Sequence, residues 1–312
     1  MTAKKRILIA DDMHECILPL LKEAGYDPVY LPVIDRVGIL EIIEGFYGLV
    51  IRSKTSVNKE LIDAGKNLAF VARAGAGMDK VDEDYLVSKG IAAINAPEGN
   101  RDALGEHVLG LLLSLLHKIP SAFEEIKKGI WDRENNRGIE LKDKVVGIYG
   151  MGNMGMCFAK KLQGFDCKVI GYDKYKDVLD ETFITRVDLE ELFEKTEILS
   201  IHIPLNTETN QLFKESYLRK FKNLKVLINT ARGEVLDTVG LINLLQDGSL
   251  YAAGLDVLAN EKLESYSNEE VALLNTLTYL PNVLITPHVA GWTFESYQKI
   301  SEVVASKIIE LG

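Results

Sequence analysis

Three glycines and one acid carry the first chemical signal in this chain. Gly150, Gly152 and Gly155 follow the apolar run Val145, Val146, Ile148 with G-x-G-x-x-G spacing, and Asp173 stands 18 residues beyond the last of them. A strand that breaks into this pattern fits a tight turn, in which the second glycine lets backbone approach a pyrophosphate and the third lets the next helix pack closely. Phosphate would rest on that helix's N-terminal amides, where Asn153 and Met154 lie. Asp173 closes a second apolar run, Lys168–Tyr172. A carboxylate there can accept from both ribose hydroxyls of an adenosine and repel the 2′-phosphate of NADP, so the implied cofactor is NAD. Lys174 and Lys176 offset part of that charge.

Other polar residues stand just past apolar runs, where ligands of an open parallel sheet bind. Thr230, Ala231 and Arg232 follow KVLIN, Asp256 follows AAGL with Glu261 five residues on, and His288 follows VLITP. Nearer the N-terminus, Arg52-Ser53-Lys54 follow GLVI, and Arg73-Ala74-Gly75-Ala76-Gly77 follow LAFVA. Two arginines and a lysine converging there would favour an anionic group such as phosphate, and the amides of Gly75 and Gly77 suit a carboxylate.

Strands and helices must alternate to hold these residues. RILIA, Tyr26 to Leu31, GLVI and LAFVA read as strands with helical patterns at Cys16 to Ala24, Val37 to Glu44 and Asn58 to Ala64. A second series follows Lys144, with strands near Lys168, at ILSI, KVLIN, AAGL and VLIT. The fold class is therefore α/β, with two doubly wound parallel-sheet domains. Between them the turn-rich segment Asn95 to Asn100 leads into DALGEHVLGLLLSLLHKI, a helix apolar on nearly all faces. It reads as a bridge and, through Leu104 to Leu116, as the contact of a homodimer. Glu295 to Leu311 has helical periodicity and is expected to pack back on the first domain, which makes that domain discontinuous: 1–99 with 287–312, around a dinucleotide-binding Rossmann domain at 100–286.

Composition excludes several classes. A formal net charge of −10 repels a nucleic-acid backbone. Cys16, Cys157 and Cys167 lack CxxC or metal-ligand spacing, so no metal site is expected and a reducing, cytoplasmic setting is. The basic start runs straight into an acidic turn without the apolar core of a signal peptide, and no apolar run is long enough to span a membrane.

GMGNMG with Asp173, HIPLNTETN, NTARGEVLD, GLDV with Glu261, and TPHVAG together resemble the D-2-hydroxyacid dehydrogenase family over nearly the whole chain. The resemblance implies a dinucleotide domain inserted into the catalytic domain. It assigns a catalytic arginine, glutamate and histidine to Arg232, Glu261 and His288, and puts His202, Ile203, Pro204, Thr230, Ala231 and Asp256 beside the cofactor, Asp256 at its nicotinamide end. In these roles the imidazole would take the hydroxyl proton as hydride leaves the alcohol carbon, the glutamate would favour imidazolium, and the guanidinium would hold the substrate carboxylate at two points. Arg232 and His288 thus belong to the substrate site as well.

VIRSKT and ARAGAGMDKVD resemble segments of the D-3-phosphoglycerate dehydrogenases of this family, which implies oxidation of 3-phosphoglycerate to 3-phosphohydroxypyruvate in serine synthesis, with Arg52, Ser53, Arg73, Gly75 and Gly77 on the substrate. The chain departs from that group in places. Ala76 replaces a threonine that could touch cofactor phosphate, Glu261-Lys262 replaces an acid-proline pair, and the bulky Trp292 is expected to line the pocket. An ending at Gly312 leaves no room for a C-terminal serine-sensing domain, so no such feedback is expected. The alternatives are a glyoxylate or hydroxypyruvate reductase of the same family and, in another class, a dinucleotide-sensing corepressor-like binding protein.

Overall fold

Strand residues in this protein are apolar nearly throughout, because both faces of each sheet are covered. Val226 and Ile228 enter one buried cluster with Val146, Ile148 and Val108, while the intervening Leu227 enters another with Leu199, Leu241 and Leu255. Neighbouring strand residues point to opposite faces, so each face receives every second side chain. Burying one such leucine fully is worth about 1.5–3 kcal/mol.

The computed structural model describes residues 4–176 and 181–312. It divides into two units, Met1–Arg101 with Trp292–Gly312, and Asp102–Gly291. The chain therefore returns to its first unit at Trp292 rather than at Pro287, and Pro287 to Gly291 stay with the second.

The first unit holds β1 (Arg6–Ile9), β2 (Asp27–Tyr30), β3 (Gly48–Ile51), β4 (Phe70–Arg73) and β5 (Ala92–Asn95) in the order β2-β1-β3-β4-β5. All neighbours are parallel. β5 is absent from the sequence reading because its AAIN has a single β-branched residue. Asp35, Asn58 and Asp82 each cap a following helix by accepting from a backbone amide three residues on. The C-terminal helix Phe294–Leu311 lays Ile300, Val304, Ala305 and Ile308 against Ile7, Ile9 and Val50, as its periodicity predicts.

The second unit holds β6 (Val145–Tyr149), β7 (Lys168–Tyr172), β8 (Thr185–Arg186), β9 (Ile198–Ile201), β10 (Val226–Asn229), β11 (Ala252–Leu255) and β12 (Val283–Ile285), ordered β12-β11-β10-β9-β6-β7-β8 and all parallel. Order reverses between β6 and β9, the switch point where a doubly wound sheet binds its ligand. Register aligns the strand ends: Tyr172 with Tyr149, Tyr149 with Ile201, Ile201 with Asn229, Asn229 with Leu255, and Leu255 with Ile285. The residues just beyond, Asp173, Gly150, His202, Thr230, Asp256 and Thr286, therefore form one row.

The helix Pro97–Leu116 corrects one expectation. Leu104, Leu111, Leu112, Leu115 and Leu116 are buried within the second unit's own cluster, so they are not free to form a dimer contact. The exposed apolar face comes next, with Ile119, Phe123 and Ile126 on helix Ile119–Lys127, followed by Ile130 and Trp131. No helix among the described residues is long and apolar enough to cross a membrane.

Candidate active site

The glycine loop has the geometry its spacing predicts. Gly150 adopts φ +99°, and a Cβ there would meet the His202 carbonyl oxygen at 2.6 Å. A Cβ on Gly155 would stand 2.1 Å from the Gly150 oxygen, so the helix Asn153–Lys161 can start only where that residue has no side chain. At Gly152 no atom of the described residues lies within 4 Å of an added Cβ. That open space is where a phosphate would meet the helix N-terminus, which Asn153 and Met154 begin.

Asp173 braces this loop. Its carboxylate accepts from the Met151 amide at 2.8 Å and from the amides of Tyr175 and Lys176 at 2.9 and 3.2 Å. Lys176 Nζ donates to the Met151 carbonyl at 2.8 Å, and Lys174 is paired with Glu208. In the same row, His202 Nε2 lies 2.8 Å from Ser200 Oγ, and burial pushes its imidazole down to about 3, so it is neutral. Ile203 is half-buried, Pro204 is exposed, and Thr230 Oγ1 is buried without a hydrogen-bond partner among the described residues. An orphaned hydroxyl, an open glycine and a helix start all fit a dinucleotide at this edge.

Arg232 is placed by its neighbours. Asn229 Oδ1 accepts from the Ala231 amide at 3.0 Å while its Nδ2 donates to the Arg232 carbonyl at 2.8 Å, an Asx turn that N-T-A-R could have signalled. Arg232 Nη1 donates to the Ala231 carbonyl at 2.6 Å. A Cβ on Gly233 would lie 1.9 Å from the Leu258 carbonyl carbon and 2.3 Å from the Ala259 nitrogen, so the arginine loop sits directly on the segment leading to Glu261.

His288 Nδ1 is 2.8 and 2.9 Å from the two oxygens of Glu261. A carboxylate can only accept, so Nδ1 carries the proton and Nε2 keeps a lone pair for a substrate proton. The Glu261 carboxyl is held below its ordinary range, first by the bond from His288 and less by the charge of Arg232, against the opposing effect of burial. Nearly half of each of these two side chains is exposed, which leaves them open to a substrate.

The Asp256 carboxylate, expected beside the cofactor, is also bonded within the chain. With 0% of its side chain exposed, it accepts from Thr286 Oγ1 at 2.5 Å and from the amides of Val289 and Ala290 at 2.9 and 2.8 Å. Three of its acceptor positions serve the loop that carries His288.

Within the first unit, the edge beyond β3 and β4 gathers Arg52, Ser53, Arg73 and Gly75. Asp11 accepts the Arg52 amide, Arg73 Nε donates to the Arg52 carbonyl at 3.0 Å, and Lys80 donates to the Ser53 carbonyl at 2.6 Å. The Arg52 guanidinium lies 3.9 Å above the Trp292 ring and 5.5 Å from that of Tyr297, and burial lowers its pKa. It makes no hydrogen bond or ion pair among the described residues. Lys54 does not join an anion site, because its ammonium caps the carbonyls of Ala10, Pro32 and Ile34 at 2.7–2.8 Å. Gly75 is also not an open amide cradle: it is buried, with the Arg73 guanidinium over it. Ala76 is tied by its carbonyl to Asn95 Nδ2 at 2.9 Å, and Gly77 is half-buried.

A Rossmann unit with a glycine loop, an acid just past its second strand and a histidine–glutamate pair near an arginine is an arrangement that would suit a nicotinamide-linked dehydrogenase. Residues 109–290 match the profile of the D-isomer specific 2-hydroxyacid dehydrogenase NAD binding domain, and the chain belongs to that family. It is 30% identical over 309 residues to a D-3-phosphoglycerate dehydrogenase of Archaeoglobus fulgidus, covering 98% of this chain and 57% of the relative. It thus spans little more than half of that protein's length. Against a hydroxypyruvate reductase of Thermotoga maritima it is 33% identical over 311 residues, 99% of both chains. Among solved structures, an acyclic imino acid reductase in complex with NADPH and D-Arg superposes with a TM-score of 0.84 at 28% identity, covering 97% of this chain and 95% of the other.

Proposed function

We propose that this chain oxidises D-3-phosphoglycerate to 3-phosphohydroxypyruvate with NAD, as in serine biosynthesis. The observation that carries the dehydrogenase reading is the Glu261–His288 pair, which leaves Nε2 ready for a proton. In oxidation His288 takes the substrate hydroxyl proton, and in reduction it returns it. Glu261 stabilises the imidazolium, and Arg232 holds the carboxylate at two points and polarises the carbonyl oxygen. When bound, the nicotinamide ring supplies the two-electron acceptor. NAD is favoured over NADP because Asp173, just past β7, would repel a 2′-phosphate and both nearby lysines already have partners.

The phosphate reading rests on Arg52, a half-buried cation with unused donors on an aromatic platform. A purified chain assayed with NADH should reduce phosphohydroxypyruvate at least about tenfold more efficiently than hydroxypyruvate, since a charged hydrogen bond is worth about 1.5–3 kcal/mol. Equal efficiencies would overturn that reading in favour of a hydroxypyruvate or glyoxylate reductase. The end-to-end match to the Thermotoga maritima hydroxypyruvate reductase supports this second reading.

The unpartnered face formed by Ile119, Phe123, Ile126, Ile130 and Trp131 supports a homodimer. Sedimentation of wild type and of Phe123→Glu tests this: a dimer that dissociates in the variant is expected, and a monomeric wild type would refute it. Three cysteines, Cys16, Cys157 and Cys167, odd in number and without CxxC spacing, support a reducing, cytoplasmic setting.

A further inference from the structure

His288 stands at φ +55°, in the left-handed region that a side chain other than glycine's seldom adopts. Such a backbone persists only where its surroundings over-determine it. Here the surroundings are Asp256. Its main-chain oxygen accepts the His288 amide at 2.8 Å, and its two carboxylate oxygens accept the amides of Val289 and Ala290. Three consecutive amides are therefore anchored on one residue.

The anchor has its own support. Thr286 Oγ1 donates to Asp256 Oδ1 at 2.5 Å, and His107 Nε2 is 2.9 Å from the same hydroxyl. A hydroxyl has one proton, and the carboxylate takes it, so the imidazole must be the donor in the second bond and its proton lies on Nε2. The chain His107–Thr286–Asp256 thus runs in one direction and ends on the turn that carries His288. Asp256 and Thr286 stand at the ends of β11 and β12, while His107 comes from the helix Pro97–Leu116.

We propose that Thr286 and His107 are positioning residues for His288, acting through the Asp256 carboxylate that pins its turn. Neither needs to touch substrate. Without the hydroxyl, Asp256 Oδ1 loses its shortest bond and is free to rotate away from the Val289 amide, and the imidazole then loses its alignment with the proton it must move. The inference rests on His288 as the proton-transfer group of the proposed reaction.

The test uses Thr286→Val, which keeps the shape and removes the hydroxyl, Thr286→Ser, which restores it, and His107→Leu beside His107→Gln, whose amide can still donate. Turnover of phosphohydroxypyruvate and hydroxypyruvate with NADH, and NADH binding by fluorescence titration, are measured for each. Thr286→Val and His107→Leu should lower kcat by about tenfold or more, since small misplacements at a reacting centre cost this much, with the NADH dissociation constant unchanged. Serine and glutamine should recover most of the loss. If kcat stays near wild type in both deletions while His288→Ala is inactive, the positioning role is overturned and the His288 reading stands. An active His288→Ala would remove the His288 reading itself. Parallel loss of kcat and NADH binding without recovery by serine would make the cluster structural only, and the proposal would also fall.

Discussion

The two units present carboxyl edges built by the same parallel register, yet they spend their polar groups differently. In Asp102–Gly291 the acids are committed to orientation: Asp173 braces the glycine loop, Asp256 pins the turn of His288, and Glu261 fixes its ring. One imidazole nitrogen is left to work. In the other unit the ions are spent on main chain, with Asp11, Arg73, Lys54 and Lys80 holding the loops beyond β1 and β3, and the Arg52 guanidinium is the cation left on an aromatic face. A proton-transfer group must be aimed, and an anion site must keep a cation that no acid has neutralised. On the proposed function, chemistry would fall to the first of these edges and substrate choice to the second.

The strongest way to break this contrast is His288→Ala. Loss of a positioned general base should cut turnover by about 100- to 10,000-fold, while fluorescence titration finds NADH binding little changed. Equal loss of both would return the second unit's edge to a purely structural role.

Next comes Gly233→Ala. The added carbon cannot coexist with the Leu258 carbonyl at 1.9 Å, so the arginine and glutamate loops must part. A loss of about 3 kcal/mol is expected, the upper end for overpacking, read from urea unfolding, together with a fall in kcat. A variant as stable and active as wild type would show that the two loops are not held against each other.

Arg52→Gln addresses the other side of the comparison. It should raise KM for a phosphorylated substrate by about tenfold or more, as loss of a charged hydrogen bond would, with NADH binding and activity on unphosphorylated acids nearly unchanged. A uniform loss on all substrates would place Arg52 in the scaffold with Lys54.

How much of this was legible in the sequence follows from what kind of information each feature needs. The glycine loop, Asp173, Arg232 and His288 are legible because a residue just past a strand must lie at the carboxyl edge whichever way its side chain turns. Lys54 and Asp256 occupy such places too, but their tasks depend on side-chain direction, which residue type does not encode. Lys54 turns to three carbonyls and Asp256 to two amides. His107 was hidden for a further reason, since its partner Thr286 lies 179 residues away. Helix Pro97–Leu116 reads correctly as buried, but sequence alone cannot say whether its own unit or a second copy covers it. β8, with two residues, is too short for any periodicity to register.

The smallest effect concerns the pairing that aims His288. A carboxyl held below its ordinary value contributes stability that is fully present above that value and drains away as pH falls through the lowered one. Glu261 is of this kind, with an ordinary value of 4.5 and the bond from His288 as the first cause of its depression. The stability difference between wild type and Glu261→Gln should therefore shrink as pH falls below about 5. Because 45% of the Glu261 side chain is exposed, water and salt screen the pair, and the difference should stay under about 1 kcal/mol. Urea unfolding at a series of pH values measures it. A difference that grew as pH fell below about 5 would mean that the carboxyl is destabilised in the folded chain, and the edge to which the proposed function gives the chemistry would then lack the device that aims its base.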